Sequence, residues 1–265
     1  MFKKCLYIIF LFVILPCYSK PISGNVRQDE FLNKQSQVID YETQKPIKGA
    51  KIYLPKYNFS TTTDNSGKFE LNVQIEDKAI LQIEKDGYRP FSLTVDKMIL
   101  NSPLKLGIQK IKTSDAFIES GIFHLGDDVY SENSANCRQF KAKPIGPFYS
   151  KKINIPRLSP SEQAVIIFGS IIGLDTKLAK ELGQNAIVAV YSSPLVIYFN
   201  GQKIGEISLN GDNQQVVIPD MLISSTNEIT IHTGKNLFQY LYIDYDDMEF
   251  ANLRIEIQNK AFANK

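Results

Sequence analysis

The chain of 265 residues sets 30 Lys and Arg against 28 Asp and Glu, with both signs interleaved and a formal net charge of +2. No basic stripe of the kind a phosphate backbone demands is present, so nucleic acid is excluded as an expected partner. The length suffices for two ordinary hydrophobic cores.

Lys3 and Lys4 precede the apolar run Leu6–Pro16, and Cys17-Tyr18-Ser19 places small residues three and one positions before a cut after Ser19. Charge, length and cleavage site predict a secretory signal peptide over residues 1–19 and an exported protein, secreted or periplasmic. The apolar run is too short to span a bilayer comfortably. Membrane attachment would require an uncleaved signal or a lipid on Cys17, and Pro16 before it is not the small residue a lipoprotein signal wants. Cleavage removes Cys5 and Cys17 and leaves Cys137 alone, so no internal disulfide is expected and core burial must hold the fold. Residues 20–33 have little periodicity and are expected to be a leader, with Ile22–Arg27 as an extra edge strand the alternative.

From residue 34 the pattern is that of half-buried strands. Gln37–Asp40 ends in a polar turn, Gly49 opens the alternating Ala50–Leu54, and a Thr-rich strand is broken by Asp64-Asn65-Ser66-Gly67. Lys68–Val73 then returns with Phe69, Leu71 and Val73 on one face. Val-Ile-Asp, a Lys-Pro-Ile-x-Gly-Ala turn and Thr-Thr-Asp-x-x-Gly-x-Phe, continued by Ala79–Glu84 and Asp86-Gly87-Tyr88-Arg89-Pro90, resemble the carboxypeptidase regulatory-like domain. The resemblance implies a small, non-catalytic, prealbumin-like sandwich with a carbohydrate-binding-like fold over residues 34–97. Residues 98–120, with Asn101-Ser102-Pro103 and the weakly alternating Leu104–Ile111, are expected to supply its last strand and a linker.

A second domain is expected over residues 121–258, followed by a tail at 259–265. Its strand candidates are Phe140–Lys143, Lys152–Ile155, Ala164–Ile172, Ala186–Tyr191, Leu195–Asn200, Lys203–Leu209, Gln215–Ile218, Glu228–Thr233 and Asn252–Gln258. That spacing indicates a sandwich. One inserted helix is expected, capped by Asp175 or Thr176, with Leu178 and Leu182 on one face and Gly183 at a left-handed stop. Asn200-Gly201 predicts a type I′ hairpin turn. The stretch VIYFNGQKIGEI, then VVIPDMLISSTNEITIHTG, the closing IDYDDMEFANLRIEI and the opening FHLGDDVYSENSANCRQF resemble the galactose-binding-like jelly roll of sugar-binding modules. The expected fold is therefore all-β: two antiparallel β-sandwiches, the first prealbumin-like, the second a larger jelly roll with one inserted helix.

A catalytic set is not visible. His124 and His232 lie far apart, and His232 alternates with Ile229 and Ile231, which directs it to solvent. His124 is followed by Leu125-Gly126-Asp127 and not by the His-x-x-Glu pair of a zinc peptidase. No Gly-x-Ser-x-Gly elbow occurs, and no Ser/Thr-Gly-Lys sits in a phosphate-loop frame. Asp127 and Asp128 after one strand, and Asp244, Asp246, Asp247 and Glu249 before the last, are expected to converge if the first and last strands of the jelly roll are neighbours. Oxygen ligands of this kind suit calcium, and the sugar-module resemblance implies a structural calcium there. The plainer alternative is that aspartates favour turns and keep sheet edges soluble. For a glycan, Tyr130, Tyr149, Tyr240, Tyr242 and Tyr245 are candidate stacking rings, with Asn133, Asn136 and Gln139 as amide partners. The absence of Trp removes the largest platform of that type. Leu237–Tyr245 is the one stretch where exposed rings would cluster. The expected function is a non-enzymatic exported binding module for a carbohydrate or other extracellular ligand. The alternatives are a structural or adhesion protein that binds an envelope or extracellular protein, and an accessory or divergent hydrolase.

Overall fold

The computed structural model describes residues 35–131, 133–136, 140–185 and 190–260, which all fall in one compact unit. The expected signal peptide and leader lie outside the described residues, as do Cys137, Gln139 and most of the Ala186–Tyr191 strand candidate.

The first sandwich has a sheet of β1 (Ser36–Asp40), β4 (Lys68–Phe69) and β7 (Lys105–Ile108) in the order β4-β1-β7. It packs on β2 (Lys51–Leu54), β3 (Phe59–Thr62), β5 (Ala79–Glu84) and β6 (Phe91–Val95), ordered β3-β2-β5-β6. Val38, Ile52, Leu54, Leu81, Ile83, Val95 and Ile108 fill the space between. One ladder departs from the expected antiparallel pattern: β1 and β7 pair in parallel, from Gln37↔Lys105 to Asp40↔Ile108. The Asp64–Gly67 turn is closed by the Asp64 carboxylate, which accepts from Ser66 N, Ser66 Oγ and Lys68 N, each at 2.8 Å. Such an Asx arrangement explains why aspartate opens the turn. The expected Lys68–Val73 strand is cut to two residues. Its partner β1 begins at Ser36, opposite Phe69, so Glu70–Val73 meet no ladder partner among the described residues.

The second sandwich comprises β8 (Asp115–Leu125), β9 (Phe148–Ile153), β10 (Glu162–Ile172), β11 (Leu195–Phe199), β12 (Gln202–Ile207), β13 (Gly211–Ile218), β14 (Asn227–His232) and β15 (Met248–Asn259). Its sheets run β13-β10-β15-β8 and β12-β11-β14-β9, the strand order of a jelly roll, and β8 and β15 are neighbours as expected. Phe168, Phe199, Phe250, Ile197, Ile231 and Leu253 are among its core. Asn200 and Gly201, at φ 49° and 77°, form the expected turn between β11 and β12. The inserted helix α1 (Lys177–Glu181) is capped by Thr176, whose Oγ1 accepts from Ala179 N. Its buried residue is Ala179, while Leu178 and Leu182 are exposed, contrary to the expected face. Phe140–Lys143 is not a strand.

The outer face of sheet β13-β10-β15-β8 is covered by the first sandwich, so β10 is buried on both sides from Gln163 to Ile172. A crease crosses this sheet. Register places Asn213 and Asn252 on either side of Gly169, both asparagines have left-handed φ (54° and 55°), and a bulge between Ala251 and Leu253 opposes Gly121. Asparagine and glycine are the residues that accept such backbone most readily. The first sandwich seats on the crease. A Cβ at Gly169 would overlap Ser92 Oγ and lie 3.0 Å from the Ala251 carbonyl oxygen. Around it Gln82 Nε2 donates to Asn252 Oδ1 at 3.3 Å, and Thr94 N and Oγ1 donate to Asp212 Oδ1 at 3.0 and 2.9 Å. Arg89 makes a bidentate pair with Asp115 at 2.8 and 2.6 Å. Ile80 joins Phe140, Ile172 and Ala251 in a small apolar cluster at the same junction.

Candidate functional site

One end of the jelly roll gathers the acidic residues that the sequence places after β8 and before β15. His124, at the end of β8, and Asp247, just before β15, face each other with Nε2 and Oδ1 2.8 Å apart, both side chains fully enclosed. The other ring nitrogen, Nδ1, meets the Ala142 carbonyl oxygen. With an acceptor at each nitrogen, the surroundings of the ring favour its doubly protonated form. Burial of the ring works against that charge, but Asp247, the Ala142 carbonyl and Glu249 outweigh it and raise the His124 pKa. Asp247 also accepts from Asp128 N at 3.1 Å and Asn136 Nδ2 at 3.1 Å, and its own N–H donates to Asn136 Oδ1 at 2.7 Å.

Asp246 points the other way. Its Oδ2 accepts from Ser192 Oγ at 2.7 Å and Asp175 N at 3.2 Å, while its buried Oδ1 has no hydrogen-bond partner among the described residues. Burial, then the Asp175 carboxylate, push the Asp246 carboxyl well above the ordinary range. Asp244 accepts from Ser134 Oγ at 3.1 Å and Asn236 Nδ2 at 2.9 Å. Asp127 accepts from Tyr245 N at 2.9 Å and Val129 N at 3.2 Å. Asp128 is exposed, and Glu249 is buried on the side of the first sandwich, beside a pocket that Lys56 and Lys141 line.

The two acidic segments therefore converge, but the carboxylates spread outward to separate protein donors instead of facing one point. Among the described residues no group of three or more His, Cys, Asp or Glu side chains is arranged to hold a metal ion. As placed, this donor set does not fit the calcium cage that the sugar-module resemblance implied. Mutual repulsion is met here by the His124 ring against Asp247 and by N–H and O–H donors to each carboxylate, while burial raises the pKa of Asp246.

The network holds a loop out into solvent. Asn236 N donates to the Asp244 carbonyl at 2.8 Å, Asp246 N donates to the Gly234 carbonyl at 3.0 Å, and Lys235 bridges Tyr245. Between these ties Leu237, Phe238, Tyr240, Leu241, Tyr242 and Ile243 are all exposed, Tyr240 at 90% and Leu241 at 96%. Asn133 stands beside the loop, its carbonyl accepting from Asn236 and Gln239. Tyr245 is half-buried under Lys235, and Tyr130 is half-buried with its hydroxyl oxygen accepting from Phe140 N. Tyr149 is a core residue, 5% exposed, packed on Phe123 and Phe250 at 5.1 and 5.6 Å with its hydroxyl on Glu119. Its place follows from β9 starting at Phe148, which turns Tyr149 and Ile153 inward.

The same shift brings out a ring row on the free face of sheet β12-β11-β14-β9. Phe148 (53% exposed), His232 and Tyr198 lie side by side, His232 5.5 Å from Phe148 with planes at 31° and 4.8 Å from Tyr198 at 49°. Ser150, Thr230, Lys152 and Glu228 occupy the neighbouring positions of the same face by register. The outward alternation of Tyr198 and His232 is readable in the sequence, but Phe148 was hidden by the later expected start of β9.

Residues 35–113 match the CarboxypepD_reg-like domain family. The match runs from just before β1 past β7 and ends two residues short of β8, so it covers the first sandwich, which is similar to that domain. No curated protein matches the chain.

Proposed function

We propose that the protein is an exported, non-enzymatic binding module that takes a glycan across the Phe148–His232–Tyr198 row, with the regulatory-like domain as a rigid base. The ring row is the observation that carries this reading. Ring faces stack on sugar C–H groups, and the adjoining hydroxyl, ammonium and carboxylate side chains suit sugar hydroxyls. The relation of the second sandwich to galactose-binding-like modules belongs to the same reading. The His124–Asp247 pair supports a non-catalytic protein, because both side chains are enclosed and out of reach of a substrate.

A second reading, docking to an envelope or extracellular protein, is favoured by the loop at 237–243. Its exposed leucines and isoleucine offer a sugar little, whereas contiguous exposed apolar surface is what protein interfaces cover. A glycan array separates the two. Binding by the native protein that falls about tenfold in Tyr198→Ala and Phe148→Ala, and survives Leu241→Ser, supports the glycan reading. An array without any bound glycan, together with envelope proteins retained by the native chain and lost with Leu241→Ser, replaces it with the second.

A further inference from the structure

Arg254 sits on the outer side of β15, in the junction between the two sandwiches, with its side chain only 16% exposed. Its Nε is fully buried without a hydrogen-bond partner, and the side chain makes no hydrogen bond to any described residue. Its one ion contact is a 3.9 Å approach of Nε to Glu256, beyond hydrogen-bonding range. Neighbouring Arg89 is fully engaged: Asp115 binds it through two bonds, Gln109 Oε1 accepts from Nη1 at 2.7 Å, and Glu256 lies 3.1 Å from Nη2. A guanidinium carries five donors in a planar fork, and leaving them unused in a buried position is costly. Burial, and then the charge of Arg89, lower the Arg254 pKa, which reflects the same lack of a partner.

The residual surface of Arg254 opens on a pocket of about 330 Å³ that Tyr41, Phe91, Gln109 and Asn213 also line. Asn213 is one of the two left-handed asparagines of the crease, so the backbone that shapes the pocket is held off the ordinary strand path. Two aromatic rings, two side-chain amides and a guanidinium whose buried Nε lacks a partner, around one small pocket, are the parts of an anion site.

We infer that this pocket binds a small organic monocarboxylate, its carboxylate taken bidentately by Arg254 and its body resting between Tyr41 and Phe91. Local charge selects a monoanion. Arg89, Arg254, Asp115 and Glu256 sum to zero charge although no carboxylate hydrogen-bonds Arg254, so a phosphate dianion would leave the group two charges negative where a carboxylate leaves it one. This site is independent of the ring row proposed for a glycan, since it lies on the other face of the jelly roll, under the regulatory-like domain.

The experiment is a thermal-shift and calorimetric titration of the whole protein with D-glucuronate and with acetate, with glucose, inorganic phosphate and sulfate as controls. Saturable binding of glucuronate without binding of glucose is expected, lost at least about tenfold in Arg254→Gln and weakened in Asn213→Gly. Asn213→Gly keeps the left-handed backbone and removes only the amide, so it tests the pocket in a folded protein. Without ligand, Arg254→Gln is expected to melt no lower than the native chain, because it removes a mostly buried guanidinium that no carboxylate hydrogen-bonds. Failure of both carboxylates to bind overturns the inference. So does an equal response to phosphate and sulfate that survives Arg254→Gln, which marks an ionic-strength effect, or a melting point that falls in Arg254→Gln, which marks a structural arginine.

Discussion

Replacing His124 by Ala leaves the Asp247 carboxylate buried, with the Asp128 N–H and Asn136 Nδ2 as its remaining donors. Breaking one side of a buried pair costs about 3–5 kcal/mol. The two retained hydrogen bonds place the expected loss at the lower end, about 3 kcal/mol. The pH dependence is the sharper readout. The folded-state pKa of His124 is raised above its ordinary 6.5, so the native state holds this proton where the unfolded chain has released it. That stabilisation is complete below the unfolded value and is lost as pH rises through the folded one, at about 1.4 kcal/mol per unit of separation. Urea unfolding followed by circular dichroism at about pH 6 and about pH 8.5 should show the native protein less stable at the higher pH, and His124→Ala with a flatter dependence. If His124→Ala is as stable as the native chain at about pH 6, or if the two pH profiles are parallel, the ring is not a buried imidazolium and the argument fails.

Asp246 titrates with the same sign through a different group. Its raised carboxyl pKa means that the folded state loses stability as pH rises above the unfolded value, so Asp246→Asn should stabilise the protein near neutrality and make no difference below about pH 4, by urea midpoints. Gly169→Ala should cost about 1–3 kcal/mol through overlap with Ser92 and should split one calorimetric transition into two, with Ser92→Gly in the same chain restoring part of the loss. A single unshifted transition would show that the sandwiches do not depend on this contact. Addition of calcium, or of a chelator, should leave the melting temperature unchanged, since the carboxylates at the end of the jelly roll are bound to protein donors. A chelator-sensitive melt that Asp247→Ala abolishes would restore the metal.

What the sequence makes legible follows from which forces act locally. Period-2 alternation and Asx or Asn-Gly turns operate over a few residues, so β1, β2, β3 and β5, the β11–β12 hairpin and the Thr176 cap are readable without coordinates. Strand starts are less constrained where alternation is weak, and the misplaced start of β9 was enough to turn Tyr149 from a ligand candidate into a core residue and to hide Phe148. The continuous apolar run of β10, AVIIF, carried a signal that alternation alone did not use: a strand buried on both faces needs a cover on each. The cover is the first sandwich, which makes the crease at Gly169 a tertiary feature and the Arg89–Asp115–Glu256–Arg254 group a product of segments more than a hundred residues apart. The acidic cluster lies between these cases. Its convergence is legible from strand order, but the means of neutralising it is not, because cation, proton and imidazolium all answer the same local excess of negative charge. His124 decides among them only by standing at the end of β8, where strand pairing brings its ring to Asp247. A residue read in sequence as a failed zinc ligand is thus the ring that meets the Asp247 carboxylate where the last strand begins.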